Sequence, residues 1–343
     1  MSWLRVVPGN AGYVMYRLYP TRCIRLGIAI SIMICASVQV LFGWGAEGHR
    51  AVAALAQELI SAETRSKVQA LLSQCGERDL ASASTWADDI RPHAHSDRPR
   101  PQDADAFNRQ FPDNANWHFV NLPLGTSSFA EAARFITGKS DVVDAIERCI
   151  AILETSEPAA GEISRPDALR LLVHFVGDIH QPLHCGTGFY RISETGPPVL
   201  VTNPNEAAGL ANDRGGNDLF YGPKDVLHAY WDLDLVEDIA GTFDFRLLTA
   251  FLRHEYQHGS WPATPGDYHR WAEAWAIESV KAANLAYAGI RFNSVETMGD
   301  PNSLWIGISL PADYEEKNRV VAAHQLTKAA VQLAQLLDKI RSP

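Results

Sequence analysis

The sequence is short of basic residues. Lys and Arg number 30 against 40 Asp and Glu over 343 residues, a formal net charge of −10. That balance excludes a basic phosphate-binding surface of the usual kind. Cysteine is scarce, at five residues, which excludes a small disulfide scaffold. No Asn-x-Ser/Thr site occurs, so N-glycosylation is not expected. Internal repeats and low-complexity tracts are absent, and strand signals are sparse. What remains is 46% hydrophobic and 20% charged. Such a chain is globular, neither disordered nor collagen-like, and long enough for one large core. It also holds 12 His.

Acidic residues are missing altogether from residues 1–43, which carry four Arg: Arg5, Arg17, Arg22 and Arg25. An apolar run, LGIAISIMICASVQVLF, follows from Leu26 to Phe42. Basic residues before an apolar run read as a secretory signal peptide, with Met15 as a second start and cleavage after the small residue Gly43. The alternative is an uncleaved anchor, because the run of 17 residues approaches the ~20 of a bilayer span. Export leaves one mature domain, 44–343, periplasmic or secreted, with no stable membrane association and no protein partner. Its charge is −14, from 26 basic and 40 acidic residues. Of its cysteines, Cys75, Cys149 and Cys185, at most two can pair.

Helical periodicity dominates the mature chain. Helices are expected at 48–60, 63–74, 79–90, 140–155, 164–180, 226–238, 243–257, 268–287 and 313–341. Ser140 or Asp141 and Ser164 are cap candidates, and Pro166 suits a first turn. In the last helix Val320, Ala323, Leu326, Ala330, Leu333 and Leu337 share a face. Strand signals are confined to 117–122 and 198–201. Long polar connections at 91–116, 186–225 and 258–267 could shape a cleft. The fold class is mainly α, a single globular domain of helices with long loops.

Chemistry concentrates in HFVGDIHQPLH, residues 174–184. His174 and Asp178 stand four apart on a helix, so both lie on one face, as two ligands of one metal require. Gly177 lets another element approach closely, and Pro182 ends the helix and puts His184 on the next turn. A second pair at the same spacing is His228 and Asp232. One such pair arises by chance on many helices; two pairs with a third His beside one point to metal. Nitrogen and oxygen donors without cysteine suit zinc and do not exclude manganese or iron. Asp88 follows Trp86, and His118 follows Trp117. Each alone looks like the polar neighbour of an aromatic core position. WGAEGH adds His49 and, after cleavage, a terminal amine at Trp44. An amine with a pKa of ~7.7–8.0 donates when neutral and can chelate together with the carbonyl of its own residue.

WGAEGH, WAD, WHF, HFVGDIHQPLH, GGND and LHxxWD, in this order, resemble the single-strand-specific zinc nucleases of fungi and plants, the S1/P1 nuclease family. The resemblance implies a helical, phospholipase C/nuclease-like fold around a three-zinc cleft. It implies that Asp88, His118, His174 and Asp178 hold one Zn²⁺. The amine and carbonyl of Trp44, with His49, would hold a second, bridged to the first by Asp178. His184, His228 and Asp232 would hold the third. Arg91 falls where a family Lys stands beside the site and would contact phosphate. Phe119 matches an aromatic that stacks a base, and Asn121 the residue that reads the base edge. His180 is a structural residue rather than a ligand.

The implied activity is endonucleolytic hydrolysis of single-stranded DNA and RNA to 5′-phosphate products, with 3′-nucleotidase activity on nucleotides. Close metals sharing a carboxylate draw the pKa of water toward ~7, and Asp88 could orient that water as well as bind metal. Single strands are favoured because a base must splay out to stack, worth ~1–3 kcal/mol. The ions would dominate the local potential of an acidic protein. Two other readings are a zinc phospholipase C, against which Phe119 and the GGND loop weigh, and a non-enzymatic periplasmic zinc-binding protein.

Overall fold

The helical periodicity becomes helix throughout most of the chain, in a computed structural model that describes residues 43–91, 99–132, 134–136, 140–193, 196–223, 225–241, 243–297 and 304–340. The leader expected at 1–43 lies outside them except for Gly43. No described helix is long and apolar enough to cross a membrane.

The helices in chain order are α1 (Gly45–Leu59), α2 (Ala62–Gln74), α3 (Leu80–Ala83), α4 (Trp86–Asp89), α5 (Ala104–Gln110), α6 (Phe129–Ala132), α7 (Val142–Leu153), α8 (Arg165–His180), α9 (Pro182–Cys185), α10 (Leu227–Ala229), α11 (Leu235–Ala240), α12 (Phe245–His258), α13 (Trp271–Ala286) and α14 (Tyr314–Lys339). Between them run short strands: β1 (Leu122–Pro123), β2 (Gly186–Thr187), β3 (Phe189–Arg191), β4 (Val199–Val201), β5 (Ala211–Asn212), β6 (Leu219–Phe220), β7 (Arg291–Thr297) and β8 (Leu304–Ser309). They form a parallel pair β1–β2 and two three-stranded sheets ordered β4-β3-β5 and β6-β8-β7. The chain is a mainly α domain.

α8 is the axis of the fold. Ser164 caps it by accepting from the Asp167 N–H, and Pro166 occupies the first turn. Every residue from Ala168 to His180 is buried, the mark of a helix enclosed on all sides. It packs against α1, α2, α3, α4, α7, α13 and α14. α7 starts at Asp141, whose carboxylate accepts from the N–H groups of Val143 and Asp144. The core runs through Trp44, Leu55, Leu172, Phe175, Trp231, Trp275, Leu326 and Leu333.

Departures from the expected elements cluster around the buried histidines. The single helix expected at 79–90 is interrupted at Ser84 and Thr85. The interruption frees the Ser84 carbonyl, which accepts from His174 Nδ1 at 2.7 Å. Instead of a strand at 117–122, Asn114–His118 is a 3-10 turn and only β1 pairs. The Val120 N–H is drawn to the His184 carbonyl at 2.8 Å. The helix expected at 226–238 contains a π-helical turn, Tyr230–Asp234, a feature common at functional sites. The β7–β8 hairpin was not expected. Val320 does not join the buried face of α14: it is 67% exposed, whereas Ala323, Leu326, Ala330, Leu333 and Leu337 are buried. Cys75, Cys149 and Cys185 are all free thiols.

Asp213 ties the loop of residues 213–218 to the rest. It is fully buried. Its oxygens accept from the N–H groups of Gly188 and Gly216 and from the hydroxyls of Tyr190 and Tyr287. Burial pushes its carboxyl up to about 6, against the pull of those donors. Replacing it by alanine would leave buried donors without an acceptor. Asp213→Ala should therefore lose about 3 kcal/mol of stability in urea unfolding, given a cost of ~1–3 kcal/mol for each unsatisfied group. A loss below ~1 kcal/mol would show that the donors find other partners.

Candidate metal centre

Imidazoles from α1, the segment before β1, α8 and α9 converge on Asp178, in the last turn of α8. Its Oδ2 lies 2.9 Å from His118 Nδ1 and 3.0 Å from His174 Nε2. Its Oδ1 lies 3.4 Å from His49 Nε2 and 3.5 Å from the His184 ring nitrogen Nδ1. The two oxygens of one carboxylate thus face two sets of nitrogen donors. Asp88, from α4, puts Oδ1 at 3.6 Å from His174 Nε2 and 3.7 Å from His118 Nδ1. A third set joins His184 in α9 to His228 and Asp232, with His228 Nε2 3.3 Å from Asp232 Oδ2. All eight of these His and Asp side chains are buried.

Local structure explains each position. His49 reaches Asp178 only because residue 177 is glycine: a Cβ there would lie 2.6 Å from His49 Nδ1. The His49 and His174 rings then stack at 3.9 Å. Pro182 begins α9 directly after α8, and the Gln181 side-chain oxygen caps it through the Leu183 N–H at 2.5 Å. That turn delivers His184. The loop before His228 passes through Arg214, Gly215 and Gly216 with positive φ. A Cβ on Gly215 would lie 2.1 Å from the Leu183 carbonyl oxygen. The close approach lets the Gly215 carbonyl accept from His228 Nδ1 at 2.6 Å.

Three of the imidazoles are oriented in the same way. His174, His184 and His228 donate their Nδ1 protons to the carbonyls of Ser84, His118 and Gly215. In the neutral ring this leaves the lone pair on Nε2, the arrangement that metal-binding histidines show. His118 differs, turning Nδ1 toward the cluster.

The electrostatics show what the cluster lacks. Burial drops His118 and His228 to about 3 and lowers His49 and His184, so these rings are neutral donors. Burial opposes charge on His174 too, but Asp178 and Asp88 outweigh it and lift that ring to about 9. Asp178 is held well below the usual carboxylate range: burial works against its charge, and His174 and His184 overcome it. Burial raises Asp88 and carries Asp232 far up. His49 Nε2, Asp88 Oδ1, Asp178 Oδ1, His184 Nε2 and Asp232 Oδ2 are buried without a hydrogen-bond partner. Unpartnered buried polar atoms are costly. Nitrogen and carboxylate donors arranged this way fit divalent cations, which would supply the missing partners.

Trp44 lies at the edge of this cluster. Its Nε1 donates to the Gly177 carbonyl at 2.9 Å, and its backbone N is 3.3 Å from Asp232 Oδ1. Gly43 sits inside: a Cβ on it would be 2.1 Å from Asp178 Oδ1 and 2.6 Å from the His184 ring. Arg91 places Nη1 3.5 Å from Asp88 Oδ1, with 16% of its side chain exposed. Phe119 and Asn121 are half-buried, and Thr187 donates to Asn121 Oδ1 at 3.0 Å. His180 stays outside the cluster. Its Nδ1 meets the Val176 carbonyl and its Nε2 the Gln332 side chain.

The motifs contained one positioning residue that sequence reasoning passed over. Gln181 is fully buried, and its Nε2 donates to Asp232 Oδ1 at 2.7 Å. It therefore joins the turn carrying His184 to the carboxylate beside His228. Its place inside HQPLH was the only signal available.

A protein-family model described as S1/P1 Nuclease matches residues 44–342. Nuclease S1 of Aspergillus oryzae is 25% identical over 322 residues, covering 92% of this chain and 98% of its own. Nuclease P1 of Penicillium citrinum is 28% identical over 203 residues, 58% of this chain and 60% of its own. Endonuclease 2 of Arabidopsis thaliana is 26% identical over 217 residues, 61% of each.

Removing the Gln181 amide should loosen the set of His184, His228 and Asp232. Gln181→Leu is expected to weaken divalent-metal binding there by about tenfold or more, the usual effect of losing a partner that orients a ligand. Metal titration of the stripped protein checks this, and an unchanged affinity would remove Gln181 from the account.

Proposed function

Because the chain belongs to the S1/P1 nuclease family, we propose that residues 44–343 are an exported zinc enzyme whose cleft holds three Zn²⁺. The activity is that of a hydrolase cutting phosphodiester bonds in single-stranded nucleic acid. The observation that supports the metal assignment is the set of unpartnered buried ligand atoms on His49, Asp88, Asp178, His184 and Asp232. Asp88, His118, His174 and Asp178 would hold one ion. Trp44, through its amine and carbonyl, would hold the second with His49 and Asp178. The third would lie among His184, His228 and Asp232. Zinc is favoured because every side-chain donor is imidazole or carboxylate and the nearest cysteine in sequence, Cys185, is an inert thiol pushed far up by burial.

Bound ions of this kind supply Lewis acidity, activating water near neutral pH and offsetting charge on the phosphate. The protein's own groups do the rest. Arg91 donates to a non-bridging phosphate oxygen, a charge-assisted contact. Asp88, within reach of Arg91, orients the attacking water and accepts its proton. The water oxygen forms a bond to phosphorus, and the bond from phosphorus to the 3′ oxygen breaks. The proton ends on that oxygen, giving 5′-phosphate and 3′-hydroxyl products. A 3′-mononucleotide undergoes the same displacement, which gives 3′-nucleotidase activity. Phe119 stacks the base, and Asn121 offers its amide N–H to the base edge.

Export and activity are linked through Trp44. Cleavage after Gly43 converts the Trp44 nitrogen from an amide into an amine, and removes residue 43 from its place against Asp178 and His184. A protein with one residue added before Trp44 should therefore bind one zinc fewer per chain. Unchanged zinc content and activity would refute the terminal ligand.

Asp88→Asn tests the catalytic assignment. It should lower kcat on single-stranded DNA by about 100-fold or more, the scale of a lost general base, while circular dichroism stays unchanged. Full activity would remove Asp88 from the mechanism. Zinc counting with end-group analysis of the digest tests the whole reading.

A further inference from the structure

The last turns of α12 carry the run His254-Glu255-Tyr256-Gln257-His258. Its two histidines belong to none of the clusters above. Four-residue spacing on a helix places their side chains one turn apart on the same face. The rings are in contact, with centroids 4.2 Å apart and planes inclined by 30°. Both residues are exposed.

We propose that His254 and His258 form a separate surface site for a divalent transition-metal cation, outside the catalytic cleft. The ring contacts set the required tautomer. His258 Nδ1 lies 2.8 Å from the His254 carbonyl oxygen, which can only accept, so the proton is on Nδ1 and the lone pair on Nε2. His254 Nδ1 faces the Glu255 carboxylate at 3.7 Å, which favours the same tautomer. Metal-binding histidines are held in this way by a carbonyl or carboxylate on the far nitrogen. Arg253 does not place its charge there, since its guanidinium is paired with Glu58.

The run has the His-Glu-x-x-His spacing of zinc peptidase helices, in which the glutamate is the base. Two features exclude that chemistry. Among the described residues no third His, Cys, Asp or Glu joins the pair to make a three-ligand set. Glu255 also stands beside the Nδ1 side of its neighbour, away from the nitrogen that would bind metal. Two imidazoles with water completing the shell make a site that holds and exchanges a cation. The order of affinity for such a site places Cu²⁺ above Ni²⁺ and Zn²⁺. Its occupant should be removed by mild chelation that leaves the buried cleft loaded.

The test is a Cu²⁺ titration of the zinc-loaded enzyme, comparing wild type with His254→Ala and His258→Ala. Both positions are exposed on a helix, and alanine preserves helix. Each variant should lose one equivalent of Cu²⁺ binding, or bind it at least tenfold more weakly. The two-imidazole signature in the electron paramagnetic resonance spectrum should disappear with it, while nuclease activity is unchanged. Binding equal to wild type in both variants would overturn the site. Loss of Cu²⁺ binding together with activity would overturn it as well, because the lost cation would then belong to the cleft.

Discussion

Asp178 is the constraint around which the molecule is arranged. Its carboxylate is fully buried, and a buried carboxylate is tolerated only when it is paired. Here Oδ2 is paired with His118, from the segment before β1, and His174 of α8, while Oδ1 faces His49 of α1 and His184 of α9 without a hydrogen bond. Satisfying one residue therefore fixes where four segments must pass. α8 has to be buried on all sides to put Asp178 at the centre. α1 has to lie close enough for His49 to cross the Cβ-free surface of Gly177. The same convergence leaves buried ligand atoms without a partner, which makes the centre a candidate metal site.

Irregular backbone is concentrated where it orients a ligand. The interruption between α3 and α4, the turn at Arg214–Gly216 and the π-helical turn after α10 each sit beside a cluster residue. The first two release a carbonyl that regular structure would have used, and a histidine Nδ1 takes it. These hydrogen bonds fix rotamer and tautomer before any cation arrives. Gln181 acts similarly on Asp232, occupying Oδ1 and leaving Oδ2 without a partner. Orientation by an outer layer of hydrogen bonds is how proteins hold metal geometry.

Local interactions were legible in the sequence and distant ones were not. The pairs His174/Asp178 and His228/Asp232 could be read because helical spacing puts them on one face. Ser164 and Asp141 could be read as caps because capping is a contact between near neighbours. The gap at Ser84 could not, since its partner His174 is 90 residues away. The link from Gln181 to Asp232 spans 51 residues and that from Asp213 to Tyr287 spans 74. Val320 misled because a heptad-like stripe does not say where a long helix leaves the core. The grouping of His49, Asp88 and His118 with the α8 motif came from family resemblance. Nothing in their local sequence separates them from ordinary polar neighbours of buried tryptophans.

An acidic protein that cuts a polyanion needs attraction that its overall charge does not provide. With a charge of −14 over residues 44–343, long-range steering works against nucleic acid, so capture must be local and short-ranged. Burial keeps His49, His118, His184 and His228 neutral, whereas Asp178 and Asp88 favour charge on His174. Arg91 adds one permanent cation at the rim, held by Asp88. The role proposed for Phe119 asks a base to leave its neighbours and stack on the ring. A paired base has both faces occupied by its neighbours and cannot meet that requirement. On that proposal, the preference for single strands reflects the cost of freeing a paired base from its stack.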